Sequence, residues 1–275
     1  MPIIDIHAHA WPDAVAAKAV PALVAAGDGL VAHYDGTVTG LVTSMDRTGV
    51  DVSVVQPVAT KASQVAAIND WVAAQASDRV VTFGAMHPDL EDPASEIARM
   101  GALGLRGFKL HPEHQSFAPH EPRMRAIYEA AIANRMIVFF HAGADVIHPT
   151  VHGTPASFSR VMDEWPELTA VLAHLGGFRE WAGVAEHIAG RDVWLDTAYT
   201  LGHLPDEEFV RLVRAHGADR VLFGSDGPWT DAAAEIAHVR RLPFTRDELE
   251  GILGGNAARL LAGAETRIAP VLQPG

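Results

Sequence analysis

Short apolar segments recur along the chain, and helix-like segments separate them. Eight such segments are present, and most are four to six residues long and too apolar to alternate cleanly between polar and apolar positions. Runs of this kind are typical of parallel strands whose two faces are both covered. They span residues 3–7, 52–56, 80–85, 105–109, 137–141, 170–174, 193–196 and 221–226. The pattern therefore predicts a buried parallel β-sheet.

The segments between these runs carry apolar residues at helical spacing. Val65, Ile68 and Val72 fall on one face of the segment 62–77. Strands that alternate with helices indicate βαβ units, and eight units of roughly 30 residues are typical of a (β/α)8 TIM barrel. We therefore predict an α/β fold, with one barrel domain over residues 1–265. Residues 266–275 are predicted to form a C-terminal tail, either a loose end or an arm onto a second subunit of a homo-oligomer.

The charge of the chain bears on its partners. It has 34 acidic and 21 basic residues, a formal net charge of −13 and no basic run, so we expect no nucleic-acid partner. The N-terminus has no basic segment, and Lys18 and Pro21 interrupt the apolar stretch 14–26. We therefore expect no membrane partner and a cytoplasmic location. A small-molecule substrate is the partner that we expect.

Histidine and aspartate residues close several of the predicted strands. The chain has no cysteine, so a transition-metal site would have to use histidine and carboxylate ligands. The side chains at the predicted strand ends are His7, His9, Lys109, His141, His174 and Asp226. Barrel enzymes carry their active sites at this rim, and imidazoles buried beside a carboxylate are costly without a shared cation. The arrangement predicts a metal pocket in which Asp226 lies beside His7 and His9, and His141 reaches across the mouth.

Alternation along the strands predicts which side chains face the barrel interior. In the first strand, Asp5, His7 and His9 would face inward, and Ile4 and Ile6 would face outward. The same rule places three later pairs inward: Phe139 with His141, Leu172 with His174, and Gly224 with Asp226. Asp5 would either orient a histidine ligand or be an ordinary hydrogen-bonded strand residue, and both interpretations are open.

Several motifs together resemble a known superfamily. They are DIHAH at the start, GFKLHP in the fourth strand, single histidines closing strands five and six, an aspartate closing strand eight, and the late GGNAARLL. The combination is similar to the amidohydrolase superfamily, and more closely to its amidohydrolase-related branch, the amidohydrolase 2 or aminocarboxymuconate-semialdehyde decarboxylase-like proteins. The resemblance spans nearly the whole chain and implies a TIM barrel of the metal-dependent hydrolase type.

The resemblance also implies roles for individual residues. His7, His9, His141 and Asp226 would bind the metal, and Asp226 would also transfer protons. His174 would contact the substrate or the metal-bound water, or else bind a second ion. Lys109 would bind the substrate in a one-metal enzyme, or be carboxylated and bridge two ions. We favour one ion. Zn²⁺ is the first expectation for this ligand set, with Mn²⁺ or Fe²⁺ as alternatives.

The predicted function is hydrolysis of a small carbonyl substrate, an amide or a lactone, by a metal-activated water. Asp226 would take the proton of that water, and His174 or Lys109 would stabilise the oxyanion. Non-oxidative decarboxylation of a small aromatic or unsaturated acid is the alternative, and the short chain favours hydrolysis over it. A metal-free barrel that only binds a ligand is the third hypothesis. Expected substrate contacts are Trp11, Gln56, His111 and Trp229.

Overall fold

The strands of the computed structural model, which describes residues 1–27 and 29–265, occupy the predicted positions. Among these residues the strands are β1 (Ile4–Ala8), β2 (Val52–Val55), β3 (Val80–Thr82), β4 (Gly84–Ala85), β5 (Gly107–Leu110), β6 (Ile137–Phe140), β7 (Ala170–Leu172), β8 (Trp194–Asp196) and β9 (Val221–Leu222). The predicted tail, residues 266–275, lies outside the described residues.

All strand pairs are parallel and follow the order of a (β/α)8 barrel, as predicted. β1, β2 and β3 form one sheet, and β4 to β9 form the other. The predicted third strand contains both β3 and β4, which are separated at Phe83, so the chain itself joins the two sheets. The last strand is linked back to the first, because Ile6 N–H donates to Phe223 O at 2.9 Å and Asp226 N–H donates to His7 O at 2.8 Å.

Helices follow the strands and cover the barrel. Within the described part of the chain they are α1 (Asp13–Ala26), α2 (Val38–Thr48), α3 (Val65–Ala73), α4 (Pro93–Ala102), α5 (Pro112–Gln115), α6 (Arg125–Ala133), α7 (Pro155–Glu164), α8 (Trp181–His187), α9 (Asp206–His216), α10 (Ala232–Arg241), α11 (Arg246–Glu250) and α12 (Asn256–Glu265). Side-chain caps begin several of them, as at Thr37, Asp92 and Thr154. No helix in the described ranges is both long and apolar enough to cross a bilayer.

Two groups of buried apolar side chains lie on the two faces of the strands. The inner group includes Ile4, Ile6, Phe139 and Val171, and Leu260 of α12 packs against it. The outer group joins Phe108, Val138, Phe140, Leu172 and Leu195 to side chains of the covering helices. The prediction that Ile4 and Ile6 face outward is therefore wrong, and so is the inward placement of Leu172.

Local backbone geometry explains both errors. Strand pairing is irregular between Asp5 and Ala8, which interrupts the alternation before the chain reaches His7 and His9. After β7 the backbone turns through a left-handed conformation, with φ of 59° at His174 and 54° at Leu175. Asp226 adopts a similar conformation, with φ of 61°. Such angles are uncommon for residues other than glycine, and here they aim the two polar side chains independently of strand alternation.

Candidate metal centre

His7, His9 and Asp226 meet at the C-terminal rim of the barrel, where β1 and the segment after β9 lie side by side. Asp226 Oδ1 lies 3.1 Å from His9 Nε2 and 3.2 Å from His7 Nε2. One ligand atom from each of the three residues lies within 4.8 Å of the other two. The structure thus brings three of the four predicted ligands together.

Asp196 and Lys109 hold the ring of His7 from opposite sides. His7 Nδ1–H donates to Asp196 Oδ2 at 2.8 Å, and Lys109 Nζ donates to His7 Nε2 at 3.2 Å. The Lys109 ammonium also lies 4.4 Å from the centre of the Phe139 ring. Since its Nδ1 carries the proton, His7 directs the lone pair of Nε2 at the centre, where Lys109 Nζ and Asp226 Oδ1 each lie 3.2 Å from it.

A backbone carbonyl fixes His9 in the same way. His9 Nδ1–H donates to the carbonyl oxygen of Gln56 at 2.7 Å, which leaves the lone pair of Nε2 directed at Asp226. The Gln56 side chain points into the wall instead, where its Nε2 donates to Ile6 O at 3.0 Å. Gln56 therefore orients a predicted ligand, and its expected contact with substrate stays a prediction.

His141 and His174 form a second pair of rings at the rim. Each gives one ring proton to a carbonyl oxygen, from His141 Nε2 to Ala144 O at 3.0 Å and from His174 Nδ1 to Ala198 O at 2.8 Å. The other two nitrogens, His141 Nδ1 and His174 Nε2, face each other at 3.0 Å. His141 thus contacts His174 directly, and the ring of His174 lies 5.4 Å from that of His7. The predicted ligand role of His141 stays a prediction.

The donor set fits a cation. Neutral histidines with these hydrogen bonds present unprotonated nitrogens at His7, His9, His141 and His174, and Asp226 adds a carboxylate. Lone pairs that face one another at about 3 Å repel unless a proton or a cation lies between them. Burial lowers the pKa of His7, His141 and His174, which disfavours the proton. Imidazole and carboxylate ligands without thiolate suit Zn²⁺ or Mn²⁺.

Burial also shifts the charged groups behind the centre. It lowers the pKa of Lys109 from 10.5 to about 8 and raises the pKa of Asp196 from 3.8 to about 7. Of the two interpretations of Asp5, the structure agrees with the hydrogen-bonded strand residue. Asp5 accepts hydrogen bonds from Ser225 N, Ser225 Oγ and the backbone N–H of His7, and none from the histidine rings that the structure describes. The carboxylate that orients a histidine is Asp196. Asp196 closes the predicted strand 193–196, and its position in the sequence predicts no role for it.

A cavity of about 170 Å³ opens above the centre. Its polar floor is formed by His7, His9, His141, His174, Asp226 and Lys109. Its apolar walls include Trp11, Leu23, Leu30, Val58, Val146, Ile147, Phe178, Tyr199 and Trp229. Three of the four predicted substrate contacts, Trp11, His111 and Trp229, line the cavity, and Trp11 and Trp229 lie with ring centres 6.1 Å apart. The part of the chain between β1 and β2 supplies Trp11, Leu23 and Leu30 to this lining.

A parallel barrel with histidines and an aspartate gathered at the carboxyl ends of its strands belongs to the class of barrel enzymes whose active sites lie at this rim. The family model described as Amidohydrolase matches residues 4–262, and the chain belongs to this family. The protein is thus an enzyme of the amidohydrolase superfamily, whose related branch is metal-dependent. A comparison with curated proteins finds no significant match.

Solved structures share the fold at low sequence identity. The 5-carboxyvanillate decarboxylase LigW from Sphingomonas paucimobilis is 19% identical, with a TM-score of 0.72 over 95% of this chain and 99% of that one. An uncharacterised TIM-barrel protein from Bordetella bronchiseptica is 21% identical, with a TM-score of 0.77 over 96% and 100%. The 2,6-dihydroxybenzoate decarboxylase from Rhizobium is 16% identical, with a TM-score of 0.72 over 95% and 99%.

Proposed function

We propose that this protein is a metal-dependent, non-oxidative decarboxylase of a small aromatic or unsaturated acid. The observation that carries the proposal is the cavity, in which aromatic and aliphatic walls stand directly above converging imidazoles, a carboxylate and the Lys109 ammonium. An apolar pocket with a few polar groups at one end favours a flat apolar ligand with one charged group. An aromatic acid has this shape and charge.

The solved structures with the same fold support this choice over hydrolysis. Two of them are decarboxylases of aromatic acids by name. The short chain by itself favours hydrolysis, but the structural match spans 99% of the LigW chain. Length therefore does not separate this chain from decarboxylases, and hydrolysis becomes the second candidate, supported by the family to which the chain belongs.

We propose one divalent cation, Zn²⁺ or Mn²⁺, held by His7, His9 and Asp226, with His141 as the fourth ligand. Support for manganese comes from a 5-carboxyvanillate decarboxylase of Novosphingobium aromaticivorans, whose structure contains that metal. When bound, the cation would supply positive charge for the substrate carboxylate and a neighbouring oxygen. Asp196 and the Gln56 carbonyl would keep the two histidines of β1 in the ligand tautomer.

Residues around the cavity would bind the substrate, exclude water and supply a proton. Lys109 would attract the acid into the cavity, and Trp11 and Trp229 would cover its apolar part and exclude water. Breaking the bond to the carboxyl carbon leaves its electron pair on the ring or vinyl carbon, so that carbon must receive one proton as CO₂ departs. Asp226 or His174 would first take up a proton from solvent and then deliver it to this carbon, because both side chains face the cavity.

The test is product analysis on purified protein loaded with Mn²⁺ or with Zn²⁺. We expect 2,6-dihydroxybenzoate, 5-carboxyvanillate or a related acid to release one CO₂ per molecule consumed. Chromatography measures the loss of the acid, and a CO₂ detector measures the gas released. Asp226→Asn should abolish the release. His238→Gln is the matched control and should keep it, because His238 lies on α10 and pairs with Asp206, away from the cavity.

The competing reaction has a different product. Aromatic amides and lactones, offered in parallel, should yield no new carboxylate. If the metal-loaded protein hydrolyses them and releases no CO₂ from any of the acids, decarboxylation is wrong and the second candidate replaces it.

A further inference from the structure

A second group of histidines and carboxylates lies next to the centre described above, and the ring of His111 in this group stacks on that of His141 with ring centres 4.0 Å apart. The group, called the second cluster, consists of His111, Glu113, His114, Asp145 and His148, from the α5 region and the loop after β6. One ligand atom each from His111, His114 and Asp145 lies within 4.8 Å of the other two. These three residues line the cavity. Neither the predicted metal set nor the proposed reaction uses the cluster as a site for an ion.

His111 presents its two ring nitrogens to two different carboxylates. Its Nε2 lies 3.9 Å from Asp145 Oδ2, and its Nδ1 lies 3.7 Å from Glu113 Oε2. Both separations are too long for a hydrogen bond. In the present tautomer, Nδ1 accepts a long hydrogen bond of 3.3 Å from the backbone N–H of His114.

Glu113 is a buried carboxylate with one unpaired oxygen. Its side chain is 0% exposed, and Oε1 accepts hydrogen bonds from the N–H groups of His152 and Gly153. Oε2 is buried and has no hydrogen-bond partner among the described residues. A buried unpaired carboxylate oxygen is costly, and the ring nitrogens that it faces belong to His111 and His141, each at 3.7 Å.

Asp145 and His114 are each anchored through one atom and leave another for a ligand. Asp145 Oδ1 accepts hydrogen bonds of 2.8 Å from the N–H groups of Ile147 and His148, so Oδ2 is the oxygen that faces His111. His114 Nδ1 is 2.9 Å from His148 Nε2, and this hydrogen bond fixes the His114 ring. The loop therefore holds an imidazole and a carboxylate in place opposite His111.

We propose that His111, His114 and Asp145 form a second binding site for a divalent transition-metal ion, separate from the centre at His7, His9 and Asp226. Binding through His111 Nε2 places the proton of that ring on Nδ1. Glu113 Oε2 lies 3.7 Å from this Nδ1–H group. A small movement of the ring on binding would bring the two atoms within hydrogen-bond distance, complete a carboxylate–histidine–metal arrangement and pair the free oxygen. Two imidazoles and one carboxylate suit Zn²⁺, Co²⁺ or Ni²⁺.

The test uses Co²⁺ as the probe, with metal content measured after gel filtration and the visible spectrum recorded during titration. We expect two equivalents in the natural protein. The double variant His114→Gln/Asp145→Asn should bind one equivalent of cobalt, at the centre of His7, His9 and Asp226. The loop should keep its conformation, because the amide oxygen of Asn can accept the two hydrogen bonds that Asp145 Oδ1 accepts. Asp226→Asn should also lose one equivalent of cobalt. The absorption bands that disappear should differ from those lost in the double variant, because a different site is emptied. His238→Gln, the surface control, should keep both.

A milder variant tests the role of Glu113. Glu113→Gln replaces the free carboxylate oxygen, so affinity for the second cobalt ion should fall about 10–100-fold. Affinity for the first ion should stay within a factor of three. Circular dichroism checks that each variant is folded.

Two results would overturn the proposal. One is a single equivalent of cobalt in the natural protein, which Asp226→Asn removes. The other is retention of both equivalents in His114→Gln/Asp145→Asn. Neither result depends on catalysis, so a protein that fills both sites and releases no CO₂ would contradict only the proposed function.

Discussion

Four histidines around the centre each give one ring proton to a fixed acceptor. The acceptors are the Asp196 carboxylate for His7 and the carbonyl oxygens of Gln56, Ala144 and Ala198 for His9, His141 and His174. Three of these acceptors are backbone atoms that cannot change their protonation. The residues are therefore arranged so that lone pairs face the centre before any ligand arrives, which reduces the cost of binding a cation.

Asp196 is the one acceptor in this set that a conservative substitution can invert. In Asp196→Asn an amide NH₂ can replace Oδ2, and it would then donate to His7 Nδ1. His7 would carry its proton on Nε2 and lose the lone pair that faces Asp226. We expect metal affinity to fall about 10–100-fold, measured by competition with a chromophoric chelator.

Asp5→Asn provides the matched control, because Asp5 is a buried carboxylate of the same barrel that bonds Ser225 and not a histidine ring. It should lower thermal stability and leave metal affinity within a factor of three. Equal affinity in Asp196→Asn and the natural protein would show that His7 does not bind the metal through Nε2.

At the scale of the elements, the sequence predicts where the strands lie but not the direction in which the side chains at their ends point. Apolar runs reflect burial on two faces, and each of the eight predicted runs overlaps an observed strand or a strand pair. Strand alternation then fails near the rim, where β1 pairs irregularly and His174 and Asp226 adopt positive φ. These conformations depend on contacts between distant strands, such as the Asp226 N–H to His7 O hydrogen bond, and no local pattern encodes them.

The same limit applies to the site. Residues that close strands could be identified, because parallel strands share one rim, and His7, His9 and Asp226 do meet there. The partners of these residues could not be identified. Glu113 and Asp145 lie in a short helix and a loop whose positions follow from tertiary packing. Only Asp196 carried a usable signal, as an acidic residue that ends a strand in the same way as the ligands.

The π-helical segment Gly251–Gly255, just before α12, lies against the N-terminal residues that lead into β1, since Pro2 and Ile4 are next to Gly254. A Cβ atom on Gly254 would collide with the carbonyl oxygen of Pro2, which is rigid backbone. We expect Gly254→Ala to lower the free energy of unfolding by about 1–3 kcal/mol, measured as a shift of the urea midpoint.

The same substitution at Gly263, inside α12, meets no atom within 4 Å in the described chain. It should be neutral or stabilise by about 0.5–1 kcal/mol, because alanine favours the helix. If both variants unfold at the same urea concentration, the contact between Gly254 and Pro2 does not contribute to stability.

At the scale of the whole molecule, metal binding and barrel closure involve the same seam. His7 and His9 lie on β1 and Asp226 follows β9, so the proposed ion would connect the first and last strands. The backbone hydrogen bonds between these strands hold the ligands together even without the ion, and the lone pairs of His7 Nε2 and His9 Nε2 that face Asp226 Oδ1 oppose that arrangement. A bound cation removes this opposition and adds bonds across the seam.

Removal of the metal should therefore lower the stability of the entire barrel. At a free metal concentration of about 1,000 Kd, binding to the folded state alone contributes about 4 kcal/mol. For a domain of this size that corresponds to a decrease in Tm of roughly 10 °C on chelation, measured by calorimetry with and without restored metal. Asp226→Asn should lose most of this difference between the metal-loaded and chelated forms. A natural protein whose Tm is unchanged by chelation and by added Zn²⁺ or Mn²⁺ would contradict an ion at this seam.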